Sequence, residues 1–429
     1  MRRPLGSMFI DCTLAAGAEQ VSGISRVVRE LITATGVADR AEAAACRQPV
    51  AVSAGRFRRC SIQQAPPARK GIARSLRTMA RRVDEWLRDH APSLEHAIVK
   101  AVMAAGGIPS LGLATAGAAA DGPPVHFHPG DALILADATW MVPGWQQAVA
   151  SARAEGAKIV PVIYDLLPIS HPQFFAPLFC AQFERWLTTM IAMADAFVCI
   201  SHATADALRE FATHRGLATA LGPVGVFPLG TKLTPSETAP STAVATAFRD
   251  GARPFLMVGT IEPRKNHSLV LDAFDQAWSE GSQAPLVVIG KRGWQCEDVI
   301  ARFADITRNG RPFTYICDAT DADLQYAYRR SRCLIFPSFA EGFGLPIVEA
   351  LAQGLPVIAS DIPVHREVGN GHATYIPLGD PTHLARLIHS IEDGSTTLHA
   401  PTPGTVHLPT WAESAAAIQV EIDRLLKSR

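Results

Sequence analysis

Short apolar segments alternate with stretches of helical periodicity along almost the whole chain. Several of these segments are continuous apolar runs bounded by Gly or Pro, as is typical of parallel strands that are buried on both faces. The alternation of such strands with helices predicts an α/β protein built on doubly wound parallel sheets. The predicted strands are Met8–Leu14, Val50–Ser53, Ala132–Ala136, Lys158–Tyr164, Ala196–Ile200, Val224–Phe227, Phe255–Val258, Leu286–Ile289, Phe313–Ile316, Cys333–Phe336, Pro356–Ala359 and Ala373–Ile376.

The pattern is interrupted once, at residues 231–252, which are rich in Ser, Thr, Pro and Ala. A new series of strands and helices begins at Pro254, so we predict two Rossmann-like domains separated by this linker. Apolar residues recur at helical spacing between Trp411 and Leu426, which predicts a last helix that packs back on the first domain. The predicted boundaries are 1–232 for the N-terminal domain, 253–405 for the C-terminal domain and 406–429 for the C-terminal helix.

The amino-acid composition excludes some of the functional classes to which the protein could belong. The chain has 429 residues, of which 48% are hydrophobic and 19% charged, as in globular proteins. Lys and Arg (40) balance Asp and Glu (40), whereas a nucleic-acid binder usually has a basic excess. The eight cysteines contain no C-x-x-C pair, and the first residues, MRRPLGSMFIDCTL, lack the apolar run of a signal peptide. We therefore expect a cytoplasmic protein with reduced cysteines and no nucleic-acid partner.

A basic helical insert is predicted at about 56–124. Within it, residues 56–90 carry ten basic and three acidic side chains, and apolar residues recur at steps of three and four. Basic amphipathic helices of this kind bind anionic membrane surfaces, but an ordinary surface helix with a solvated basic face has the same pattern, so both readings stay open. The apolar positions are Ile72, Leu76, Met79, Val83, Trp86 and Leu87.

The later part of this insert, residues 101–120, carries no charge over about the span of a bilayer core. It consists mostly of Ala and Gly and contains Pro109, so few large apolar side chains are present. We predict a buried helix followed by a loop rather than a transmembrane helix.

The strongest local signal is PSFAEGFGLPIVEALAQGLPVIASD, residues 337–361. A strand is predicted to end at its first residue, and a helix is predicted to begin near Gly344. Gly342 and Gly344 leave backbone amides uncovered at that helix N-terminus, where the helix dipole favours an anion such as a diphosphate. Glu341 and Glu349 lie eight positions apart and can border the same ligand, because carboxylates accept hydrogen bonds from sugar hydroxyls.

A second signal is FLMVGTIEPRKNHSLVLDAF, residues 255–274. Its strand ends at Gly259, and Arg264 and Lys265 come just before a helix predicted to start around Asn266. Two cations at the carboxyl end of a parallel strand lie where open α/β sheets bind ligands. They can neutralise the charge that builds on a diphosphate leaving group.

These two blocks, in this order, resemble the retaining GT-B glycosyltransferases of family 4. Glu341 and Glu349 match the E-x7-E motif of that family, and IEPRKN matches its donor-phosphate loop; VVIGKRGW and CDATDADLQYAYRRSRCLIFPS resemble its flanking segments. The resemblance implies a GT-B fold, two Rossmann-like domains facing across a cleft. It implies that Glu341 approaches the donor sugar, that Glu349 binds the nucleotide ribose, and that Lys265, helped by Arg264, binds the diphosphate. The remaining expected donor contacts are the backbones of Gly342, Phe343, Gly344 and Leu345.

The first half resembles the same family in two segments. DCTLAAGAEQVSGISRVVREL (residues 11–31) is similar to the loop and first helix that face the reaction centre, with Gly23 and Arg26 as candidate donor contacts. VPVIYDLLPISHPQFF (residues 160–175) resembles a segment that often reads H-D-L-x-P. Tyr164 stands in place of the His that can bond the donor sugar and either replaces it or is only a strand residue. Asp165 is kept and joins the candidate catalytic residues.

A departure from the family pattern lies in the loop after Gly259, where Thr260 stands at a position at which some members have a phosphate-binding Arg. By resemblance, no protein nucleophile is needed, because the leaving diphosphate helps to deprotonate the acceptor hydroxyl. No D-x-D motif stands where a metal-dependent transferase holds its cation, since Asp321-Ala322-Asp323 is expected to begin a helix. We therefore expect neither a metal nor another cofactor.

The resemblance implies a hexosyltransferase that uses a nucleotide-sugar donor, with GDP-mannose as the first expectation. Its acceptor is expected to be a lipid-linked glycan of O-antigen, capsule or exopolysaccharide assembly, and the enzyme is expected in the cytoplasm, peripherally on the inner membrane. A nucleotide-sugar epimerase of the GT-B type and a non-catalytic nucleotide-binding protein are the alternatives. An NAD(P)-dependent dehydrogenase would need G-x-G-x-x-G after the first strand, and LAAGAEQVSG lacks that spacing.

Overall fold

The computed structural model of the protein describes the chain in eight segments, and these form two compact units. We call residues 1–230 with 411–429 the first unit, and residues 231–410 the second unit. Each unit is described by itself below. The described residues are 7–15, 23–37, 47–53, 55–59, 123–231, 238–251, 253–402 and 408–427.

The first unit contains a seven-stranded sheet in the order β3-β2-β1-β4-β5-β6-β7. All neighbouring strands are parallel except β2 and β3, which are antiparallel. The chain reverses its direction of progress across the sheet between β1 and β4, and the carboxyl ends of strands at such a position form the usual ligand-binding edge. The strands are β1 Met8–Asp11, β2 Arg47–Ser53, β3 Arg56–Arg59, β4 Ala132–Leu135, β5 Lys158–Ile163, β6 Phe197–Cys199 and β7 Val224–Val226.

Helices cover this sheet and bury its apolar runs. Leu133 and Leu135 of β4 pack in one cluster with Ile159 of β5, Phe197 of β6 and Trp186 of a covering helix. The four strand residues among these come from the predicted strands, so the continuous apolar runs correctly identified the strands of the core. The helices are α1 Gly23–Val37, α2 Trp145–Ala154, α3 Leu167–Ser170, α4 Pro177–Met193 and α5 His202–His214.

One prediction in this unit is wrong. Residues 56–59 were expected to open a basic helical insert, but they form β3, an antiparallel edge strand on β2. Phe57 is buried against the core while Arg56 and Arg59 are exposed, which is the alternation of a half-buried strand. Charged side chains on an edge strand also discourage pairing with other chains. Arg58 forms an antiparallel bridge with Pro124, so the first and the last residues of the predicted insert pair with each other. The predicted basic helix at 70–88 and the segment 101–120 lie outside the described residues.

The second unit contains a six-stranded, all-parallel sheet in the order β10-β9-β8-β11-β12-β13. Its strands match the predicted ones to within one residue at each end. The strands are β8 Phe255–Val258, β9 Leu286–Ile289, β10 Phe313–Ile316, β11 Cys333–Phe336, β12 Val357–Ser360 and β13 Ala373–Ile376. The helices are α6 Thr242–Ala247, α7 His267–Ser279, α8 Glu297–Arg308, α9 Asp321–Arg330, α10 Leu345–Ala352, α11 Pro363–Gly369 and α12 Pro381–Glu392.

Both faces of this sheet are buried. In β8, Phe255 and Met257 pack on one side with the apolar faces of α7 and α12. Leu256 and Val258 pack on the other side with residues of α9 and α10. Successive side chains of a strand point to opposite faces, so an uninterrupted apolar strand requires helices on both sides. This is the doubly wound arrangement that the sequence predicts.

The predicted linker at residues 231–252 is partly folded, which corrects the sequence reading. Within it, α6 buries Val244, and Phe248 directly after the helix is buried in the same cluster of the second unit. The Ser241 amide donates to Asp323 Oδ1 at 2.6 Å. Two apolar residues at an i,i+4 spacing within a Thr- and Ala-rich segment were too weak a pattern to predict this helix.

The last helix, α13 (Trp411–Lys427), belongs to the first unit, where it packs against α1 and β7. Trp411 and Ile422 are buried, and the Ser414 hydroxyl donates to the Pro228 carbonyl at 2.7 Å. Among the residues that the structure describes, α13 and the other helices are all too short or too polar to span a bilayer.

Candidate active site

The candidate donor site lies in the second unit, where the loops after β8 and β11 meet. These strands are neighbours in the sheet, so their carboxyl ends emerge side by side. Two hydrogen bonds join the loops: the Phe339 amide donates to the Arg264 carbonyl at 2.8 Å, and Asn266 Nδ2 donates to the Pro337 carbonyl at 3.3 Å. Asn266 adopts a left-handed conformation and ends the turn at Pro263–Lys265 just before α7. The loop geometry thus places both basic residues beside the second loop.

Arg264, Lys265 and Glu341 form one cluster of charges. Arg264 Nη1 lies 2.6 Å from Glu341 Oε2, and Lys265 Nζ bonds to the other oxygen, Oε1. Arg264 Nη2 lies 2.6 Å from Glu262 Oε1, so the cluster balances two cations with two anions. Only 18%, 10% and 8% of the side chains of Arg264, Lys265 and Glu341 are exposed, so water screens these charges weakly.

The cluster controls the protonation of its carboxylates. Burial would raise the pKa of Glu341, but the charges of Arg264 and Lys265 outweigh it and lower that pKa to about 2. Glu262 differs, because burial raises its pKa despite Arg264. Lys265 Nζ also lies 4.9 Å from the ring centre of Phe336, close enough for a cation–π contact. Glu341 is therefore ionised near neutral pH and can accept hydrogen bonds there.

The loop from Gly342 to Leu345 leads into the N-terminus of α10. Gly344 has φ 108°, a conformation that side chains disfavour, and no side chain caps the helix there. The amides of a first helical turn lack helical partners, and together with the helix dipole they favour an anion. Phe343 is half-buried in this loop. The structure therefore places an uncapped helix N-terminus directly after the loop that carries Glu341.

Glu349 lies on α10, one turn beyond its start, and is half-buried. The hydroxyl of Tyr328 on α9 donates to Glu349 Oε2 at 3.0 Å, and Tyr328 itself is buried. The sequence did not single out Tyr328, because it belongs to a different helix from its partner. A second-unit residue expected in the donor site, Thr260, is exposed in the loop after β8.

His365 on α11 lies beneath the same loop and was also missed. It is fully buried, and its Cδ2 lies 3.7 Å from the position of a Cβ on Gly344. The Ser360 hydroxyl donates to the Ser338 carbonyl at 2.5 Å, so its proton is not shared with His365. His365 Nδ1 must then carry a hydrogen, which it donates to Ser360 Oγ at 3.0 Å or to the Ser360 carbonyl at 3.1 Å. Burial lowers the pKa of His365 to about 4, so the ring is neutral.

In the first unit, the structure places four predicted residues at the carboxyl edge of the sheet. Gly23 is the first residue of α1, and Arg26, which is half-buried, lies about one turn further along the same helix. Tyr164 follows β5 directly, is buried, and donates its hydroxyl hydrogen to the Ala136 carbonyl at 2.7 Å. Asp165 is half-buried and accepts the Leu167 amide at 3.0 Å. The only hydroxyl proton of Tyr164 is thus used within the protein.

Two buried carboxylates hold the loop between β1 and α1, and neither was expected. Asp137 Oδ2 accepts the amides of Leu14 and Ala15, each at 2.7 Å. Asp11 accepts the Thr13 amide at 3.1 Å and the Thr139 hydroxyl at 2.9 Å. Burial raises the pKa of both, and the neighbouring Asp137 helps to raise that of Asp11 to about 7. These bonds end β1 at Asp11, earlier than the predicted Leu14.

Comparison with known proteins identifies relatives of this chain. Residues 242–402 match the family model of glycosyl transferases group 1. The serotype-specific mannosyltransferase WbdA of Escherichia coli is 33% identical over 300 residues, which are 68% of this chain and 37% of WbdA. The O-antigen chain mannosyltransferase B of Escherichia coli is 37% identical over 143 residues, 33% of this chain and 37% of that protein. The matches thus span just over a third of the length of these relatives.

Solved structures share the fold over nearly the whole chain. HepE of Anabaena in complex with UDP and glucose aligns with 99% of this chain and 98% of its own, with a TM-score of 0.54 and 15% identity. Sucrose-phosphate synthase from Thermosynechococcus elongatus covers 98% and 97%, with a TM-score of 0.52 and 15% identity. The two Rossmann-like units, the family match and the shared fold of the solved structures lead to one conclusion: the chain contains a group 1 glycosyltransferase domain at residues 242–402 and has the GT-B fold.

Proposed function

We propose that the chain is a retaining mannosyltransferase that transfers mannose from GDP-mannose to a hydroxyl of a lipid-linked surface glycan. The observation that carries this proposal is the cluster of Arg264, Lys265 and Glu341 beside the N-terminus of α10. The relatives described as O-antigen and serotype-specific mannosyltransferases support mannose as the sugar and a surface polysaccharide as the product. O-antigen, capsule and exopolysaccharide chains are the product classes that fit.

In this proposal the donor diphosphate binds between the two cations and the amides that open α10. The two phosphates carry negative charge, so they compete with Glu341 for Arg264 and Lys265. Once the diphosphate takes over these cations, the Glu341 carboxylate is released to accept hydrogen bonds from the hydroxyls of the donor sugar. Glu349, held by Tyr328, accepts hydrogen bonds from the ribose hydroxyls. In this proposal Arg264 and Lys265 bind the diphosphate, Glu341 binds the sugar and Glu349 binds the ribose, so these four groups contact the donor along its length.

The proposed reaction needs no group on the protein to form a bond to the sugar. The bond between the anomeric carbon and the phosphate oxygen breaks, and the acceptor oxygen bonds to the same carbon on the same face. The acceptor proton passes to an oxygen of the leaving diphosphate. Negative charge grows on that diphosphate as the bond breaks, and Arg264 and Lys265 stabilise it there. We propose that this chemistry requires no metal, so that activity persists in EDTA.

We propose a cytoplasmic enzyme that binds the inner membrane peripherally, where a lipid-linked acceptor is presented. The basic sequence at 70–88 motivates this idea, because cationic segments bind anionic lipid surfaces. Sedimentation with anionic liposomes at low salt tests it, with neutral liposomes as the control. Protein that stays in the supernatant with both kinds of liposome would rule out direct membrane binding.

The function itself is tested in two stages. First, thermal melts are recorded with GDP, UDP, ADP and dTDP and with their common sugar conjugates, because a ligand that binds only the folded state raises the melting temperature. We expect the largest increase with GDP and GDP-mannose. Second, transfer to a mannan oligosaccharide is followed by NMR, which reports the anomeric configuration of the product. An inverted product would refute the retaining mechanism, and an epimerised nucleotide sugar formed without acceptor would favour the epimerase.

A further inference from the structure

His365 on α11 reaches the loop after β11 at two places, although it lies outside both sequence motifs of the candidate site. It is fully buried, and it meets this loop through Ser360 on one side and beneath Gly344 on the other. We propose that His365 is a positioning residue, which acts through Ser360 to hold the loop that carries Glu341 in the shape that binds the donor. The inference rests on the proposed function and deepens it, because it assigns a residue to the control of the same site.

The loop after β11 is tied to both neighbouring strands at its first three residues. On the side of β8, the carbonyl of Pro337 and the amide of Phe339 bond to the loop after that strand. On the side of β12, the hydroxyl of Ser360, the last residue of that strand, donates to the carbonyl of Ser338 at 2.5 Å. Three consecutive residues are thus fixed from two sides shortly before Glu341.

The direction of the Ser360 hydroxyl depends on His365. A hydroxyl has one hydrogen to donate, and Ser360 uses it for the Ser338 carbonyl. His365 Nδ1 donates to Ser360 Oγ at 3.0 Å, with the Ser360 carbonyl as a second acceptor at 3.1 Å. A hydrogen that arrives at this oxygen turns the hydroxyl hydrogen away from the ring and toward Ser338, so the imidazole selects the bond that ties the loop. Burial lowers the pKa of His365 to about 4, so the ring is neutral near neutral pH.

The ring of His365 also forms the floor beneath Gly344. Its Cδ2 lies 3.7 Å from the position that a Cβ on Gly344 would take. The ring centres of His365 and Phe336 are 5.2 Å apart, and the ammonium of Lys265 lies 4.9 Å from the same Phe336 ring. The hydroxyl of Tyr375 donates to the His365 carbonyl at 3.2 Å, which fixes the backbone that carries the imidazole. His365 therefore packs against the loop as well as bonding toward it.

Stability alone does not favour a histidine at this place. Among the residues that the structure describes, none bonds to Nε2 of His365, although this atom is buried. A buried polar atom without a partner costs free energy, whereas an aliphatic side chain of similar volume has no such cost. A side chain kept only for packing would therefore be apolar here. The histidine is explained by what its other nitrogen does for the loop.

The test separates packing from hydrogen bonding in the full chain. His365→Leu keeps most of the volume of the ring and loses both nitrogens, whereas His365→Asn is smaller but keeps an N–H close to the position of Nδ1. We expect His365→Leu to melt at the higher temperature of the two. Hydrogen exchange of the loop amides (339–345), followed by mass spectrometry without ligand, should nevertheless be roughly threefold to tenfold faster in His365→Leu than in the wild type. In His365→Asn it should stay close to the wild-type rate.

The matched control is His267→Leu. His267 is also buried, neither of its ring nitrogens bonds to a described residue, and it packs on Phe303 on the face of the sheet that α7 covers. The loop amides should exchange at the wild-type rate in this control. Ser360→Ala removes the hydroxyl that His365 directs, so it should accelerate exchange about as much as His365→Leu, and the double variant should add little. Exchange that follows the melting temperature across these variants, or an additive double variant, would overturn the inference.

Transfer assays connect the inference to the proposed function. The donor KM should rise roughly threefold to tenfold in His365→Leu and in Ser360→Ala, the acceptor KM should stay at its wild-type value, and His365→Asn should restore most of the loss. An unchanged donor KM in the first two variants would overturn the inference.

The GDP-induced thermal shift of the wild type is measured on the same samples. Faster loop exchange in His365→Leu without any nucleotide shift of the wild type would refute the proposed function and leave His365 as the residue that positions the loop. A nucleotide shift together with unchanged loop exchange in His365→Leu would retain the function and overturn the inference.

Discussion

The guanidinium of Arg264 lies 2.6 Å from the carboxylate of Glu341, although 77 positions separate the two residues in the sequence. They meet because β8 and β11 are neighbours in a parallel sheet, and because the backbone of Phe339 bonds to the carbonyl of Arg264 itself. Arg264 in the loop after β8 and Glu341 in the loop after β11 thus hold each other in place. A diphosphate that binds Arg264 must also change the surroundings of Glu341, so the two ends of a bound donor are coupled through this contact.

Replacing Lys265 by Ala should lower kcat/KM for transfer by about 100-fold or more, which is the range found when one stabilising group of a transition state is lost. The Lys265 side chain is more enclosed than that of Arg264, with 10% against 18% exposed, so water screens its charge weakly. Arg302→Ala is a suitable control, because Arg302 pairs with Asp272 and Asp275 at the surface of α7 and α8. Initial-rate assays on both variants decide the matter: equal activities would refute the assigned role of Lys265.

Glu341→Gln should separate binding of the diphosphate from transfer. The variant loses the negative charge that balances Arg264 and Lys265, so GDP should bind more tightly, by roughly threefold to tenfold. Transfer should fall, because the amide no longer offers a charged acceptor to the donor sugar. Isothermal titration with GDP measures the first effect, and kcat measures the second. Weaker GDP binding in this variant would show that Glu341 and the diphosphate do not compete for the same cations.

Tyr328→Phe tests how Glu349 is held. The change removes only the hydroxyl that donates to Glu349 Oε2, and it leaves the buried ring in the core. One hydrogen bond contributes about 0.5–1.5 kcal/mol, so the donor KM should rise by roughly twofold to tenfold. The acceptor KM and the melting temperature should change little. Tyr326→Phe, on the same helix, is the matched control, and a donor KM that rises equally in both variants would argue against a specific role for Tyr328.

The sequence predicted the sheets well because their physics is local. Continuous apolar runs such as Leu286–Ile289 that are bounded by Gly or Pro are typical of strands buried on both faces, and the structure confirms them. The start of α9 at Asp321 was also predicted, from Asp321-Ala322-Asp323, and the structure shows that Thr320 and Asp323 form a reciprocal cap there. The two loops after β8 and β11 were singled out through their motif, and the structure shows that Arg264, Lys265 and Glu341 meet.

What the sequence missed depends on contacts between distant segments. Tyr328 contacts Glu349 from α9, and His365 lies beneath Gly344 from α11, and nothing in the sequence around either residue marks it. The strand β3 was hidden because its arginines matched the basic composition of the residues that follow. Asp11 and Asp137 follow or end two neighbouring strands and interact through their charges, and single acids after strands are too common to predict such a pair.

The last prediction concerns the dependence of stability on pH. Burial and the nearby Asp137 raise the pKa of Asp11 from 3.8 to about 7. Between about pH 4 and pH 7, the unfolded chain therefore releases a proton that the folded chain retains. The free energy of unfolding falls with rising pH wherever the folded state binds more protons. The contribution of Asp11 is thus fully present at low pH, is lost as pH rises toward 7, and is constant above it.

Asp11→Asn removes this titration. Burial lowers the pKa of His365 to about 4 and that of His267 to about 3. These histidines make the free energy of unfolding rise with pH, and they do so equally in the wild type and in the variant. The informative quantity is therefore the difference between the melting temperatures of the two proteins at each pH. The melting temperature of the wild type minus that of the variant should fall by a few degrees, on the order of 2–8 °C, from pH 4.5 to pH 7.5. Asp206→Asn, at an exposed acid of α5 paired with Arg209, should leave that difference flat. Parallel curves for wild type and Asp11→Asn would mean that Asp11 is already ionised in the folded protein at pH 4.5, and that the bonds from Thr13 and Thr139 outweigh its burial.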